Sequence, residues 1–155
     1  MGLMSFFKGV GEKIFGGHKE VEPAQAATVE PLRASALLAH IKTLGLPYNS
    51  LTVKTAGDTV VLEGEVAKQE DSEKLALAVG NVEGVKVVDN RLDVAEPAEE
   101  AKYHEVVSGD TLSKIAEEYY GDMMKYPVIF EANKPMLSHP DKIYPGQVLR
   151  IPPMA

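Results

Sequence analysis

Two stretches rich in proline, alanine and glutamate divide this chain and limit the size of any domain in it. They are "GGHKEVEPAQAATVEP" at residues 16–31 and "AEPAEEAK" at residues 95–102, and neither repeats apolar residues at a helical or strand period. Such stretches are typical of linkers, so two small domains are expected. The predicted division is an N-terminal segment at 1–16, a linker at 17–29, a first domain at 30–94, a second linker at 95–101 and a second domain at 102–152.

Composition excludes several classes of protein. The 155 residues carry a formal charge of −7 and include no cysteine, which excludes disulfides, thiolate metal sites and a cysteine nucleophile. The sequence has no Lys/Arg cluster, which argues against nucleic acid as a partner because phosphates attract clustered cations. No apolar run approaches the roughly 18 residues that a membrane span needs.

The first 16 residues predict a short amphipathic helix. Their apolar residues recur at three- and four-residue steps, although Gly9 and Gly11 each weaken a helix by about 1 kcal/mol relative to alanine. A helix this weak must dock on another surface to be ordered. The predicted apolar face consists of Leu3, Phe6, Phe7, Val10 and Ile14.

The same segment lacks the order of a secretory signal. No basic residue precedes Leu3 and Lys8 interrupts the apolar run, whereas a signal peptide has a basic start and then roughly 7 to 15 apolar residues. The "AQAA" at 24–27 has a small-residue cleavage pattern, but charged residues fill the stretch before it. We therefore expect a cytoplasmic protein.

The first domain is predicted to be an α+β fold of order α-β-β-α-β. A helix ends near Leu46–Pro47, and "LTVKT" and "TVVLEGEV" read as strands joined at Gly57–Asp58. The helix in "AKQEDSEKLALAVG" should stop at Gly80 in a left-handed conformation, and "VKVVDNRLDV" reads as the last strand. The predicted apolar set of that strand is Val85, Val87, Leu92 and Val94.

The second domain is predicted to have the order β-α-α-β. "YHEVV" reads as a strand, and the turn after it leads to a helix capped by Asp110 or Thr111. A second helix contains Pro127, Ile129 and Phe130, and Pro145–Gly146 turns the chain into the strand "QVLRIP". Leu112, Ile115 and Ala116 form the predicted inner face of the first helix.

No catalytic pattern is present in the sequence. The four histidines at 18, 40, 104 and 139 lack metal-ligand spacing. There is no nucleophile elbow, phosphate-binding loop or dinucleotide fingerprint. We therefore predict that the protein is not an enzyme.

Both domains resemble known families. "TVVLEGEV", a helix and "VEGVKVVDNRLDV" resemble a BON domain, and "YHEVVSGDTLSKIAEEYYGD", "IFEANKP" and "IYPGQVLRIP" resemble a LysM module. LysM modules bind glycan in a shallow groove, so the resemblance implies a peptidoglycan-binding alternative if the protein is exported. The implied groove residues are Gly109, Asp110, Thr111, Leu112, Ile143, Tyr144 and Pro145. The same residues can instead simply build the fold.

The whole chain is similar to the bacterial potassium-binding proteins of BON–LysM type. That resemblance implies a monomeric cytoplasmic sensor that binds K⁺ and becomes compact through an intramolecular BON–LysM contact. It also implies that the K⁺ ligands are the backbone carbonyls of Phe7, Val10, Gly80, Val82 and Val85.

The residues themselves are compatible with such a site. K⁺ is often held by backbone carbonyls, and the last four carbonyls of a helix lack intrahelical partners and form the negative end of its dipole. A helix end at Gly80 followed by a turn at Gly84 could supply them. The alternative is that Gly80 only stops the helix and Gly84 only forms a turn. A third possibility is a scaffold that binds protein partners.

Overall fold

The computed structural model describes the backbone of residues 3–5, 23–82 and 84–153 and the side chains of residues 33–82 and 84–153. The described elements form one four-stranded sheet and one two-stranded sheet with helices packed against them. In chain order they are β1 (Leu3–Ser5), α1 (Pro23–Leu44), β2 (Ser50–Ala56), β3 (Thr59–Lys68), α2 (Gln69–Gly80), β4 (Val87–Glu96), β5 (Lys102–Glu105), α3 (Leu112–Tyr120), a 3₁₀ turn (Met123–Lys125), α4 (Tyr126–Ala132) and β6 (Val148–Ile151).

The first domain has the predicted order of helices and strands. Its sheet has the strand order β1-β4-β3-β2, in which β2 and β3 form an antiparallel hairpin and β3 and β4 run parallel on either side of α2 in the chain. The hairpin turns at Gly57, whose φ of 63° suits the tight turn predicted there. Both helices and the central strands contribute to one apolar core, which includes Leu37, Ile41, Leu62, Leu75 and Val88.

The buried positions of β4 leave out Val87 of the predicted apolar set and include one polar residue. The strand begins at Val87, and the buried positions are Val88, Asn90 and Leu92. Because strand side chains alternate, Val87 lies on the opposite face. The period is obscured in the sequence because Asn90 occupies a core position, where its amide donates to the hydroxyl of Ser72 at 3.0 Å.

The start of the chain also differs from the prediction. Leu3–Ser5 form β1, an edge strand antiparallel to β4, rather than the first turn of a helix. A three-residue strand gains ladder hydrogen bonds at the sheet edge, whereas a glycine-weakened helix forms poorly alone. The other residues of the predicted amphipathic face, at positions 6, 7, 10 and 14, lie outside the described residues.

The two predicted linkers are shorter than expected where they can be compared. Helix α1 begins at Pro23, so residues 23–29 are helical, because proline is tolerated at a first helical position and alanine favours a helix. Strand β4 continues to Glu96, which pairs with Lys68 of β3. Residues 17–22 lie outside the described part of the chain.

The second domain is built as the sequence predicts. Strands β5 and β6 form an antiparallel pair, and helices α3 and α4 close over it. Leu112, Ile115 and Ala116 of α3 are buried in a separate apolar cluster with Ile129 of α4 and Leu149 of β6. The cap of α3 is Thr111, whose side chain accepts from the backbone N–H of Lys114.

Candidate functional site

The C-terminal end of α2 differs in one respect from the predicted geometry. Gly80 is the last helical residue and is not among the glycines with positive φ, and the cap residue Asn81 has φ −83° and ψ 18°. The N–H of Asn81 donates to the carbonyls of Leu77 and Val79, so the helical bonding continues through Gly80. The expectation of a left-handed Gly80 is therefore wrong.

The left-handed residue lies four positions further on. The N–H of Val85 donates to the carbonyl of Val82 at 3.1 Å, which closes a four-residue turn, and Gly84 at its third position has φ 103°. A positive φ at that position is what a type II turn requires and is the reason for a glycine there. The chain thus leaves α2, turns at Gly84 and enters β4.

The predicted ligand carbonyls of this segment differ in their hydrogen bonding. The carbonyl of Val82 accepts from Val85, and a carbonyl has a second lone pair. Among the described residues, no backbone N–H donates to the carbonyls of Gly80 and Val85. The side chains of Val82 and Val85 are 0% and 1% exposed, so the core anchors the turn that carries these oxygens.

The N-terminal strand ends close to this turn. Strand β1 pairs Ser5 with Val87, which is two residues beyond Val85. Phe7 and Val10 lie outside the described residues, so their carbonyls are not placed. The structure thus brings the start of the chain to the β4 end of the turn.

These oxygens are chemically suited to a large monovalent cation. They are neutral main-chain carbonyls at the negative end of a helix dipole, and K⁺ exchanges its water for such groups. Ca²⁺ and Mg²⁺ instead favour carboxylates, and among the described residues no group of three or more His, Asp or Glu side chains could hold a metal ion. The donor set of this turn therefore fits K⁺ better than a divalent ion.

Helix α2 also forms hydrogen bonds with the second domain. The carboxylate of Glu73 accepts from Arg150 Nε at 2.6 Å and from the N–H of Ala101 at 3.1 Å, and both charged side chains are buried. Further along the helix, the side chain of Asn81 bonds the backbone of Val148. The helix is buried from Glu73 to Gly80, apart from Lys74, because one side faces its own sheet and another faces β6.

The predicted glycan-groove residues lie in two loops of the second domain and mostly perform structural roles. Gly109 has φ 91° in the turn before α3, Thr111 caps that helix and Leu112 is 3% exposed in the core. Ile143 packs against the same core, and the N–H of Tyr144 donates to the side chain of Gln147. Pro145 is exposed.

Asp110 belongs to a polar cluster that joins β5, the turn and α3. Its carboxylate lies 2.9 Å from His104 Nε2 and accepts from the N–H of Val107, and these two interactions lower the pKa of Asp110. On the other side of the ring, His104 Nδ1 lies 3.1 Å from the hydroxyl of Tyr119. Burial raises the pKa of Tyr119, which favours the protonated form of its hydroxyl.

A cavity of about 600 Å³ lies at the opposite end of α2. Residues of both domains line it, including Gln69, Glu96, Glu131 and Arg150. A helix of 12 residues separates its two ends by roughly 16 Å, so this cavity and the carbonyl turn are different places.

Across the described ranges, no helix has the length and apolar character needed to cross a membrane.

Comparison with known proteins identifies both domains. The family model of the BON domain matches residues 32–96, and that of the LysM domain matches residues 104–152. The chain is therefore a two-domain protein of the BON–LysM class.

Full-length similarity places the chain more narrowly. It is 41% identical over 157 aligned residues to the potassium binding protein Kbp of Escherichia coli O6:H1 strain CFT073, covering 98% of this chain and 99% of that protein. The chain belongs to the same BON–LysM family as that protein. It is also 41% identical over 133 residues to an uncharacterized protein of Deinococcus radiodurans strain R1, covering 77% of this chain and 51% of that relative.

Three residues at the contact between α2 and the second domain were not singled out from the sequence. They are Glu73, Asn81 and Arg150. A usable signal exists for Arg150, because it interrupts the apolar run "VLRI", whereas Glu73 follows the polar residues Gln69, Glu70 and Ser72. Asn81 reads as an ordinary helix cap and gives no such signal.

Proposed function

We propose that this protein is a cytoplasmic, monomeric K⁺-binding sensor without enzymatic activity. The ion is bound by the backbone carbonyls of Phe7, Val10, Gly80, Val82 and Val85, and binding makes the molecule compact through association of its BON and LysM domains. The observation that carries this proposal is the 41% identity, over almost the whole of both chains, to a protein named for potassium binding.

The described part of the site supports the proposed ligands. The carbonyls of Gly80, Val82 and Val85 lie on one short segment at the end of α2, and Gly84 allows the segment to turn. The pairing of Ser5 with Val87 supports a contribution from the N-terminus.

The test is thermal unfolding in KCl, NaCl and choline chloride at equal ionic strength. A ligand that binds only the folded state stabilises it by about 2.7 kcal/mol at a hundredfold excess over Kd. We expect KCl to raise the melting temperature above that in NaCl. Equal melting curves in KCl and NaCl would refute K⁺-selective binding.

A truncation tests the proposed role of the N-terminus. Deletion of residues 1–15 removes β1 and both proposed N-terminal ligands, while α1 to β6 remain. We expect the truncated protein to keep its circular dichroism spectrum and to lose selective K⁺ binding in calorimetric titrations. K⁺ binding as tight as that of the full chain would show that Phe7 and Val10 are not ligands.

A second candidate function is the binding of peptidoglycan glycan by the LysM domain, should the protein be exported. The match of residues 104–152 to the LysM family favours it, as does the exposure of Val107, which is 55% accessible beside the turn at Gly109. The melts should be repeated with N-acetylglucosamine oligomers. A rise in melting temperature with the oligomer but not with K⁺ would support this second function instead.

A further inference from the structure

Asn81 binds the edge of the LysM sheet in the way a neighbouring strand would. Its Nδ2 donates to the carbonyl of Val148 at 2.9 Å, and its Oδ1 accepts from the N–H of the same residue, also at 2.9 Å. A side-chain amide offers a donor and an acceptor side by side. It can therefore satisfy both backbone groups of a strand residue, which neither a carboxylate nor an aliphatic side chain can do.

A second asparagine binds this strand through the same pair of hydrogen bonds. The side chain of Asn133 donates to the carbonyl of Arg150 at 2.9 Å and accepts from its N–H at 2.8 Å. Val148 and Arg150 are two residues apart, so their backbone groups point to the same side of β6. One asparagine of the LysM domain and one of the BON domain therefore cover this edge of the sheet, and only the second is lost when the domains separate.

Asn81 also lies on the segment that carries the proposed ion ligands, although it is not itself one of them. Its backbone N–H caps α2 through Leu77 and Val79, and it lies between Gly80 and Val82, whose carbonyls are two of the proposed ligands. A side chain held by two hydrogen bonds restricts the backbone that carries it. The orientation of the peptide groups on either side of Asn81 thus depends on whether Val148 is in place.

We propose that Asn81 couples the ion site to the docking of the LysM domain; this inference rests on the proposed function. When β6 is docked, Asn81 holds the backbone of the turn with the flanking carbonyls set for K⁺. When K⁺ orders the turn, the amide of Asn81 is presented to Val148. Thermodynamic linkage requires the two effects to be equal, so K⁺ favours docking by the factor by which docking favours K⁺.

The second polar contact between the domains separates coupling from simple adhesion. Glu73 and Arg150 also join α2 to β6, but Glu73 precedes Asn81 by eight residues, roughly 12 Å along a helix. Weakening that ion pair loosens docking without touching the turn. In the Glu73→Gln variant, docking should be weaker and still respond to K⁺, whereas removal of the Asn81 amide should leave docking insensitive to K⁺.

The test uses the full chain with Asn81→Ala, and Asn49→Ala as the matched control. Asn49 is an exposed residue of the loop between α1 and β2, so its truncation makes the same chemical change away from the LysM domain. K⁺ affinity is measured by calorimetric titration with KCl against NaCl, and compaction by small-angle X-ray scattering with and without K⁺. We expect Asn81→Ala to bind K⁺ at least tenfold more weakly and to lose the change in radius of gyration, and Asn49→Ala to match the parent.

A second variant guards against a trivial loss of folding. Asn81→Asp keeps the acceptor for the Val148 N–H but sets a negative oxygen against the Val148 carbonyl. If residue 81 acted only by electrostatic attraction for the ion, the added carboxylate would make K⁺ binding tighter. If residue 81 couples the ion site to docking of the LysM domain, K⁺-dependent compaction is lost in this variant. Parent-like affinity and compaction in either folded variant would overturn the coupling while leaving the proposed function intact. A parent protein without any response to K⁺ would overturn both.

Discussion

The ion pair between Glu73 and Arg150 provides a quantitative test of how the two domains are held together. Glu73 is 1% exposed and Arg150 is 7% exposed, and Arg150 Nε lies 2.6 Å from the carboxylate. The other carboxylate oxygen accepts from Gln69 and from the N–H of Ala101. Glu73→Gln removes the charge and replaces one acceptor oxygen by an NH₂ donor, so either Arg150 or the second pair of donors must face another donor.

The expected loss follows from the buried charge that remains. Removing one partner of a buried ion pair costs about 3–5 kcal/mol, because the other charge stays desolvated and unpaired. Here the partners belong to different domains, so separation of the domains would return Arg150 to water. The loss is therefore limited by the free energy of docking, and a variant that exceeds this limit should expand rather than unfold.

The assay combines urea unfolding with small-angle X-ray scattering. We expect Glu73→Gln to lower the free energy of unfolding by several kcal/mol or, if docking is weaker than that, to enlarge the radius of gyration while circular dichroism is retained. Glu63→Gln is the matched control, because Glu63 makes an exposed ion pair with Lys54, and it should behave as the parent does.

A double variant completes the argument. Glu73→Gln with Arg150→Met leaves no unpaired buried charge, so it should be more stable than the sum of the two single losses implies. A Glu73→Gln variant within about 1 kcal/mol of the parent, with unchanged dimensions, would show that the pair does not hold the domains together.

Three further predictions concern backbone conformation and pH. A Cβ at Gly64 would lie 2.2 Å from the Ser50 carbonyl oxygen at φ 136°, so Gly64→Ala should cost roughly 2–5 kcal/mol in urea unfolding, and an unchanged midpoint would contradict this packing. Gly84→Val should weaken K⁺ binding by more than its backbone strain of about 1–2 kcal/mol. The control Gly45→Val, at a φ of 73° with nothing within 4 Å of the added Cβ, should lower stability without changing K⁺ affinity. Equal K⁺ affinity in the two variants would argue against the turn as a K⁺ site. The lowered pKa of Asp110 contributes stability that is present above a pH of about 4 and is lost as the pH falls through the folded-state pKa. Asp110→Asn should therefore flatten the acid side of a plot of unfolding free energy against pH. An unaltered plot would refute this contribution of Asp110.

The sequence predicts the parts of the fold that depend on local patterns. The turn at Gly57 and the buried face of Leu112, Ile115 and Ala116 lie where turn chemistry and helical spacing predict them. Each is decided by residues within a few positions of one another, so neighbouring residues carry enough information. The order of helices and strands in both domains follows for the same reason.

Local rules fail at the C-terminal end of α2, where the cap residue itself continues the helical hydrogen bonding. Glycine after a helix predicts a left-handed stop, which assigned that role to Gly80. Asn81 instead continues the helical bonding with its own N–H, and Gly84 takes the positive φ. Both glycines fit the pattern equally well in the sequence, because the pattern does not include the hydrogen bonds of the residue between them.

The contact between the domains could not be predicted because its partners are distant in the chain. Asn81 and Val148 are 67 residues apart, and Glu73 and Arg150 are 77 apart. A polar residue on a helix normally indicates the solvent side, so the sequence alone predicts that Glu73 faces water. Glu73 is 1% exposed and Asn81 is half-buried, because α2 contacts strands of both sheets. The side of α2 that a one-domain interpretation leaves to solvent is thus the side that contacts β6 of the second domain.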